Sequence, residues 1–426
     1  MNRIAIKEIL LDQREEIKSI LAHNNLIPRD LMSESDKILQ SGPAKIINGA
    51  RRCGKSTFAH QLLAGKNYGY TNFDDERLIG VTTKDLNNFL EVLNEINPNF
   101  EYLLFDEIQN IKGWELFINR LLRKKYNIII TGSNSKLLSK ELATHLTGRY
   151  ITVELYPFYF KEYLLYKKVN IHPDDFYITE KRANLKRHFE EYLKFGGMPE
   201  TIGHAKRNEY LRELFDKIIT RDVATRYNIK YVRDLKEIAL YLISNSASKI
   251  SLNKIKNIFE VKNIHTIKNH IEYLENSYLI FQLNPFSFKL KEQLKQQKKI
   301  YCIDNGLITS LSHSMTSDYG KLIENLIFVD LKRKGNEIYY YSCGNYEVDF
   351  MTQKGREITD LIQVSFSISD DDTKSREIES LLKASDKLRC NNLTIITLDE
   401  EGEEKIKSKT IKILPAWKFL FQGIPS

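Results

Sequence analysis

The sequence predicts an α/β protein: a doubly wound parallel sheet first, a helical middle next, and a second α/β unit last. Three observations point this way. Apolar strand runs alternate with amphipathic helices between residues 44 and 134. The first of these runs leads directly into a glycine-bearing loop and then a helix. Beyond Ser287 the composition shifts, and the charged stretch KLKEQLKQQKK separates the helical middle from a series of short strands.

Composition bounds the reading before any motif does. The chain has 426 residues, with 42% hydrophobic and 28% charged content, which suits roughly two to three globular domains. The formal net charge of +8 is spread over a long chain. It permits contact with nucleic acid without demanding it. Cys53, Cys302, Cys343 and Cys390 form no C-x-x-C pair, and the nine histidines are scattered without zinc-ligand spacing. A reduced, cytoplasmic compartment is the expectation. The N-terminal MNRIAIKEILLDQREEIKSI is charged throughout and lacks the apolar core of a signal peptide. No apolar run approaches the roughly 20 residues that a membrane helix needs, so no membrane partner is expected.

Along the chain, residues 1–40 read as helical, with Ile4, Ile6, Ile9, Leu10 and Leu11 on a rough stripe. A helical adaptor is expected there. AKIIN is a short strand, followed by a helix over 56–63. YGYTNFDDE reads as a strand and turn, and TKDLNNFLEVLNEI as a helix closed by Asn97-Pro98. YLLFDE and YNIIITGSN are buried-strand runs with the helix GWELFINRLLRK between them. After Pro157 the pattern is helical, punctuated by Gly196, Gly197 and Pro199. Residues 234–290 read as three helices and a strand. KIYCID, IYYYSC, EVDFM, DLIQVSF and LTIITLD then alternate with helices. The expected division is 1–40 helical segment, 41–160 sheet core, 161–230 helical lid, 231–290 winged-helix-like domain and 291–426 α/β domain.

Gly49, Ala50, Arg51, Arg52, Cys53, Gly54, Lys55 and Ser56 match G-x-x-x-x-G-K-[ST] in full, with Thr57 next. The two glycines let the backbone curl so that successive N–H groups face phosphate oxygens. The following helix aims its positive dipole end at the same anion. Lys55 suits the β- and γ-phosphates, and the Ser56 hydroxyl suits Mg²⁺. A predicted strand before the loop and a predicted helix after it give the P-loop context, so residues 49–57 are the expected ATP contacts.

Two further strand ends complete the site. Tyr102-Leu103-Leu104-Phe105 ends in Asp106 and Glu107. Asp106 is expected to hold Mg²⁺, and Glu107 to orient and polarise the attacking water. The strand of YNIIITGSN ends beside the metal acid, where Asn134 or Ser133 would bond the γ-phosphate or the lytic water.

These residues carry a resemblance. GARRCGKST, LLFDEIQNIKGWE, ITGSNSKLLS, LTGRYITVELYPFYFKEYL, YLKFGGMPE, ITRDVATRY and YYYSCGNYEVDF together resemble a prokaryotic AAA+-type ATPase with a C-terminal domain of unknown function. The resemblance implies ATP hydrolysis and a C-terminal fold like the PD-(D/E)xK nucleases. An arginine following the third strand end suits a charge supplied to the γ-phosphate, in cis or from a neighbouring copy in a homo-oligomer. Arg149 is the first candidate finger and Arg221 the second.

The remaining regions suggest the effector. In a winged helix over 231–290, Lys262, His265, Thr266, Lys268 and Asn269 would cluster near the start of the third helix, where a DNA reader presents its contacts. In the last unit, Glu324 lies on a helix, Glu347 and Asp349 on one strand, and Gln363 and Ser365 on the next. Nuclease chemistry of that order asks for Glu-x-Lys at the last two positions. An amide and a hydroxyl supply neither, so the fold is expected to persist without the catalysis, unless a lysine such as Lys321 or Lys354 migrates in. The function expected is an ATPase whose nucleotide state switches this effector region. The alternatives are an ATP-gated DNA-binding regulator with slow turnover and an ATP-dependent nuclease.

If Arg149 acts in trans, mixing Arg149→Ala protein with Lys55→Ala protein restores part of the turnover that each lacks alone, because intact fingers then meet intact P-loops. Absence of rescue in subunits shown to exchange makes Arg149 a cis or structural residue.

Overall fold

Five strands build the first sheet: β1 (Ala44–Gly49), β2 (Tyr68–Asn72), β3 (Tyr102–Asp106), β4 (Asn127–Gly132) and β5 (Tyr150–Leu155). They pair in the order β2-β3-β4-β1-β5, and every pairing is parallel. A parallel sheet is covered on both faces, so its central strands need apolar residues without alternation. YLLFD and NIIITG meet that need, and their inner residues are buried. The computed structural model describes residues 1–22, 26–42, 44–133, 150–312 and 318–422.

The helices around this sheet follow from their apolar spacing. In α1 (Arg3–Ala22), Ile6, Ile9, Leu10 and Gln13 are buried at i, i+3, i+4 and i+7. α2 (Ser35–Gln40) is a short turn before β1, and α3 (Lys55–Leu62) leaves the glycine loop. α4 (Leu86–Ile96) buries Leu86, Phe89, Leu90 and Leu93, and α5 (Trp114–Arg123) buries Trp114, Phe117, Ile118, Leu121 and Leu122. Ile6, Ile9 and Leu10 share one hydrophobic cluster with Phe89, Leu103, Phe105 and Ile130. α1 is therefore part of the sheet's own core and not a separate adaptor. Burying three such side chains stabilises by about 1.5–3 kcal/mol each, an upper estimate.

This sheet and its helices form one unit, Met1–Tyr156 with Asn276–Tyr278. Pro157–Glu275 and Leu279–Ser426 form the second. The second unit opens with α6 (Phe160–Tyr166), α7 (Thr179–Phe195) and α8 (Arg207–Lys217), which runs on into a π-helical segment, Ile218–Thr225. Next come α9 (Val232–Ser244), β6 (Ser248–Ile250), α10 (Leu252–Ile258), α11 (Ile264–Asn276), β7 (Ile280–Leu283), α12 (Leu290–Lys295) and β8 (Lys298–Cys302). β6, β8 and β7 pair antiparallel in that order. The strand KIYCID, grouped by sequence with the final α/β region, thus pairs back onto the strands of the helical middle. Pairing is a non-local choice, and chain proximity does not decide it.

After α13 (Asn305–Leu311) and α14 (Tyr319–Arg333), a six-stranded mixed sheet forms. It is built from β9 (Glu337–Cys343), β10 (Tyr346–Lys354), β11 (Glu357–Val364), β12 (Leu393–Thr397), β13 (Gly402–Ile406) and β14 (Lys409–Pro415), in the order β13-β14-β12-β11-β10-β9. α15 (Asp371–Leu388) buries Ile378, Leu381, Ala384 and Leu388 in one cluster with Leu361, Leu393 and Ile411 of the sheet, and α16 (Ala416–Gln422) closes the described chain.

The Gly196-Gly197 pair has a steric origin. A Cβ on Gly197 would lie 1.9 Å from the Phe158 carbonyl oxygen, and one on Gly196 2.0 Å from Asp304 Oδ1. The close approach lets the Gly197 N–H donate to Asp304 Oδ2 at 2.7 Å, while the Gly306 N–H donates to Oδ1 at 2.9 Å. Burial nevertheless pushes the Asp304 carboxyl up from 3.8 to about 6, against those backbone bonds. A raised folded-state value means that the stabilising contribution is fully present below 3.8 and lost as pH rises through about 6. Chemical denaturation of wild type and Asp304→Asn across that window should therefore show the wild type losing up to roughly 3 kcal/mol relative to the variant as pH rises. A difference independent of pH would remove the titration of Asp304 as its cause.

Candidate functional site

The loop between β1 and α3 is shaped by close contacts. A Cβ on Gly49 would fall 2.1 Å from the Leu155 carbonyl oxygen, so only glycine lets β1 and β5 run together here. Arg52 and Gly54 take left-handed conformations, with φ of 66° and 92°, and the Cys53 N–H donates to the Ala50 carbonyl at 3.3 Å. The Cys53 thiol is wholly buried, is pushed up by burial and donates to Leu155 O at 3.3 Å. Ala50 and Cys53 thus pack inward, Arg51, Gly54 and Thr57 are half-buried, and Arg52 is exposed.

Lys55 opens α3 and is buried, and its Nζ donates to the Ala50 carbonyl at 2.9 Å. The ammonium is folded over the loop that it would share with a phosphate. Ser56 follows, and its hydroxyl bonds the Asp106 carboxylate. Asp106 is 5% exposed and also accepts from the Thr131 hydroxyl. Burial pushes the Asp106 carboxyl up, while the Ser56 and Thr131 bonds and the Lys55 charge hold it down.

Strand register explains this convergence. Asp106 on β3 lies opposite Thr131 on β4, and Asn48 on β1 lies opposite Gly132. Glu107, the next residue, has φ 52° and ψ 35°, a conformation that costs a non-glycine residue of order 1 kcal/mol or more. Its N–H donates to the Thr131 carbonyl at 3.2 Å, and its carboxylate accepts from the Gln109 amide. The half-buried Glu107 is thereby turned out of the strand.

The structure brings together the loop, Lys55, Ser56, Asp106 and Glu107, with Ser133 buried at the end of β4. Asn134 and Arg149 lie outside the described residues. Arg221 is exposed on the π-helical segment of the second unit. Three residues were not anticipated. Thr131 sits in the ITGSN run, but side-chain alternation, and not position in the run, selects it. Gln109 holds Glu107; it lies in the LLFDEIQNIKGWE run, but the run assigns it no role. Arg29 is buried and donates to the Cys53 carbonyl at 2.9 Å and the Tyr156 carbonyl at 2.6 Å, tying the loop to the end of β5. Nothing local in its sequence marks it.

Comparison with known proteins bears on the first sheet and its loop as a domain. Residues 41–164 match a family model described as an AAA domain, and residues 186–318 one described as a domain of unknown function (DUF8612). The chain is 38% identical to the uncharacterized protein MJ1544 of Methanocaldococcus jannaschii, over 98% of this chain and 95% of that one. It is 32% identical to an uncharacterized protein of Haemophilus influenzae, over 80% and 86%. The chain belongs to the family of these two proteins. Residues 41–164 are an AAA-type P-loop ATPase domain. Among solved structures, the Walker-type ATPase PABY2304 of Pyrococcus abyssi aligns at 15% identity and a TM-score of 0.43, over 68% of this chain and 97% of that one. No described helix is long and apolar enough to cross a membrane.

In this AAA-type site, Lys55→Ala removes the buried cation of the loop. Titration with a fluorescent ATP analogue should give binding about 100-fold weaker or worse, about 2.7 kcal/mol, with the far-ultraviolet circular dichroism unchanged. Unaltered affinity would separate Lys55 from the nucleotide.

Proposed function

We propose that the protein hydrolyses ATP with Mg²⁺ and that nucleotide state switches the region beyond the ATPase domain. The observation that carries the reading is the Ser56–Asp106–Thr131 cluster next to the loop, with Glu107 turned out beside it. Residues 49–57 contact the phosphates, with backbone N–H groups and the dipole of α3 stabilising the anion. Lys55 exchanges the Ala50 carbonyl for β- and γ-phosphate oxygens.

Ser56 and Asp106 offer a hydroxyl and a carboxylate, the hard oxygen donors that Mg²⁺ takes. When bound, the ion neutralises charge on the β- and γ-phosphates. Glu107 accepts a proton from the attacking water and orients it in line with the γ-phosphate, while Gln109 holds the carboxylate. Thr131 fixes the rotamer of Asp106. Asn134 senses the γ-phosphate, and Arg149 supplies the finger, within a homo-oligomer.

DNA is the second ligand that we propose, for the element running from α9 to β8. The helices α9, α10 and α11 and the three-stranded antiparallel sheet β6-β8-β7, with the short α12 before β8, support a winged-helix reading. Lys262, His265, Thr266, Lys268 and Asn269 are all exposed at the start of α11. This supports an ATPase coupled to a DNA-reading element over a free-standing nuclease.

The test is Glu107→Gln. The amide keeps shape but accepts the water's proton poorly, so ATP binding should persist while turnover falls by about 10²–10⁴. Assays with and without duplex DNA, at several protein concentrations, read the coupling. Turnover within threefold of wild type would move the role away from Glu107. A rate indifferent to both DNA and concentration would leave the ATPase standing alone.

A further inference from the structure

The second unit holds a carboxylate cluster of its own. Glu324 on α14 and Glu347 and Asp349 on β10 converge on one ammonium, that of Lys299 on β8. Its Nζ lies 2.8 Å from Asp349 Oδ1, 3.0 Å from Glu324 Oε1 and 3.1 Å from Glu347 Oε1. The Lys299 side chain is 4% exposed, and those of Asp349 and Glu324 are 11% and 12% exposed. Tyr301 donates its hydroxyl to Glu324 Oε1 at 2.7 Å. Lys249 on β6 pairs with the outer oxygen of Glu347. Both lysines lie over the Tyr340 ring, at 5.1 Å and 5.8 Å.

The adjoining strand is locked into the same network. Asp349 Oδ2 accepts from the Val364 N–H at 3.0 Å. Gln363 accepts from the Asp349 N–H at 3.3 Å and donates to Glu377 at 2.5 Å. Neither Lys321 nor Lys354 reaches this place. The lysine that arrives comes from β8, a strand of the other sheet.

We infer that Lys299 is a built-in cation filling the position a divalent ion would need in this carboxylate site, and that it locks the β6-β8-β7 sheet to β10. With all three carboxylates ionised, the cluster with Lys299 and Lys249 has a formal charge of −1, and burial with the Asp349 charge pushes the Glu324 carboxyl up to about 7. Burial would lower the Lys299 ammonium, but Asp349, Tyr301, Glu324 and Glu347 outweigh it and raise it well above the ordinary lysine value. The charged ammonium is therefore favoured over the neutral amine. A magnesium ion needs six oxygens at about 2.0–2.1 Å in near-octahedral order, and here Nζ already stands between the oxygens. Among the described residues, no three His, Cys, Asp or Glu side chains are placed to hold a metal ion as they stand, so these carboxylates must draw inward from their places around Nζ before Lys299→Ala binds one. A second cation would meet Lys299 in a largely buried site, open to water on the Glu347 side, where repulsion between like charges is stronger than in bulk water. The unpaired alternative is costly, because removing one partner of a buried ion pair leaves a bare charge.

The test is Mn²⁺ binding followed by electron paramagnetic resonance, on the full chain without nucleotide. Wild type and Asp349→Asn should bind Mn²⁺ alike, since Lys299 keeps the ion from Asp349. Lys299→Ala should gain one site, at least about tenfold tighter than any in wild type, as freed carboxylates recruit a hard cation. Adding Asp349→Asn should abolish that gain, and Mn²⁺ should raise the melting temperature of Lys299→Ala by more than it raises that of wild type or of the double variant. Lys249→Ala leaves the central ammonium in place and should gain nothing. Wild-type Mn²⁺ binding, or Mn²⁺-dependent DNA cleavage, that disappears in Asp349→Asn overturns the inference. So does a folded Lys299→Ala that gains no site. The comparison of wild type with Asp349→Asn decides the matter even where Lys299→Ala does not fold. None of these readouts involves Lys55 or Glu107, so they stand apart from the ATPase reading.

Discussion

β4 is hydrogen-bonded to β1 on one side and β3 on the other, all parallel, and the nucleotide site hangs on that placement. Parallel pairing puts the carboxyl ends of the strands at one edge, so the loop after β1, the acids after β3 and the polar end of β4 meet. The register is tight: a slip of one residue would turn Thr131 away from Asp106 and remove its hydroxyl bond. β5 closes the other flank of β1, where its Leu155 carbonyl accepts the Cys53 thiol and leaves no room for a side chain at residue 49.

Charge is handled in two ways. At the loop, Asp106 is buried but bonded by two hydroxyls and near Lys55. In the second unit, three carboxylates are already answered by Lys299, and the network extends through Gln363 to Glu377. Similar donor sets thus have opposite fates. One keeps its lysine beside the acid, on the phosphate loop. The other seats its lysine among the acids.

The glycine pair at 196–197 shows how a close approach becomes chemistry. Backbone contact with Phe158 excludes side chains, which exposes an N–H that Asp304 accepts. The same carboxylate caps α13 through Gly306, so one buried acid joins α7 to α13.

The G-x-x-x-x-G-K-S run, the apolar strands and the i, i+3, i+4 stripes of α4 and α5 were legible directly, because each is a local pattern with a local cause. So were Asp106 and Glu107, since acids that end an apolar strand stand out in sequence. Thr131, Arg29 and Gln109 were not, because their roles come from pairing register and from contacts to residues up to 127 positions away. The lysine for the C-terminal acids was sought at 321 or 354. Antiparallel pairing of β8 with β6 and β7 instead delivered it from 299. Sequence alone determined which groups we propose for phosphate, metal and water, since those groups must be particular residue types at short spacing. Tertiary structure alone decided which carboxylates stay open and which are filled, since that depends on strands brought together across the fold.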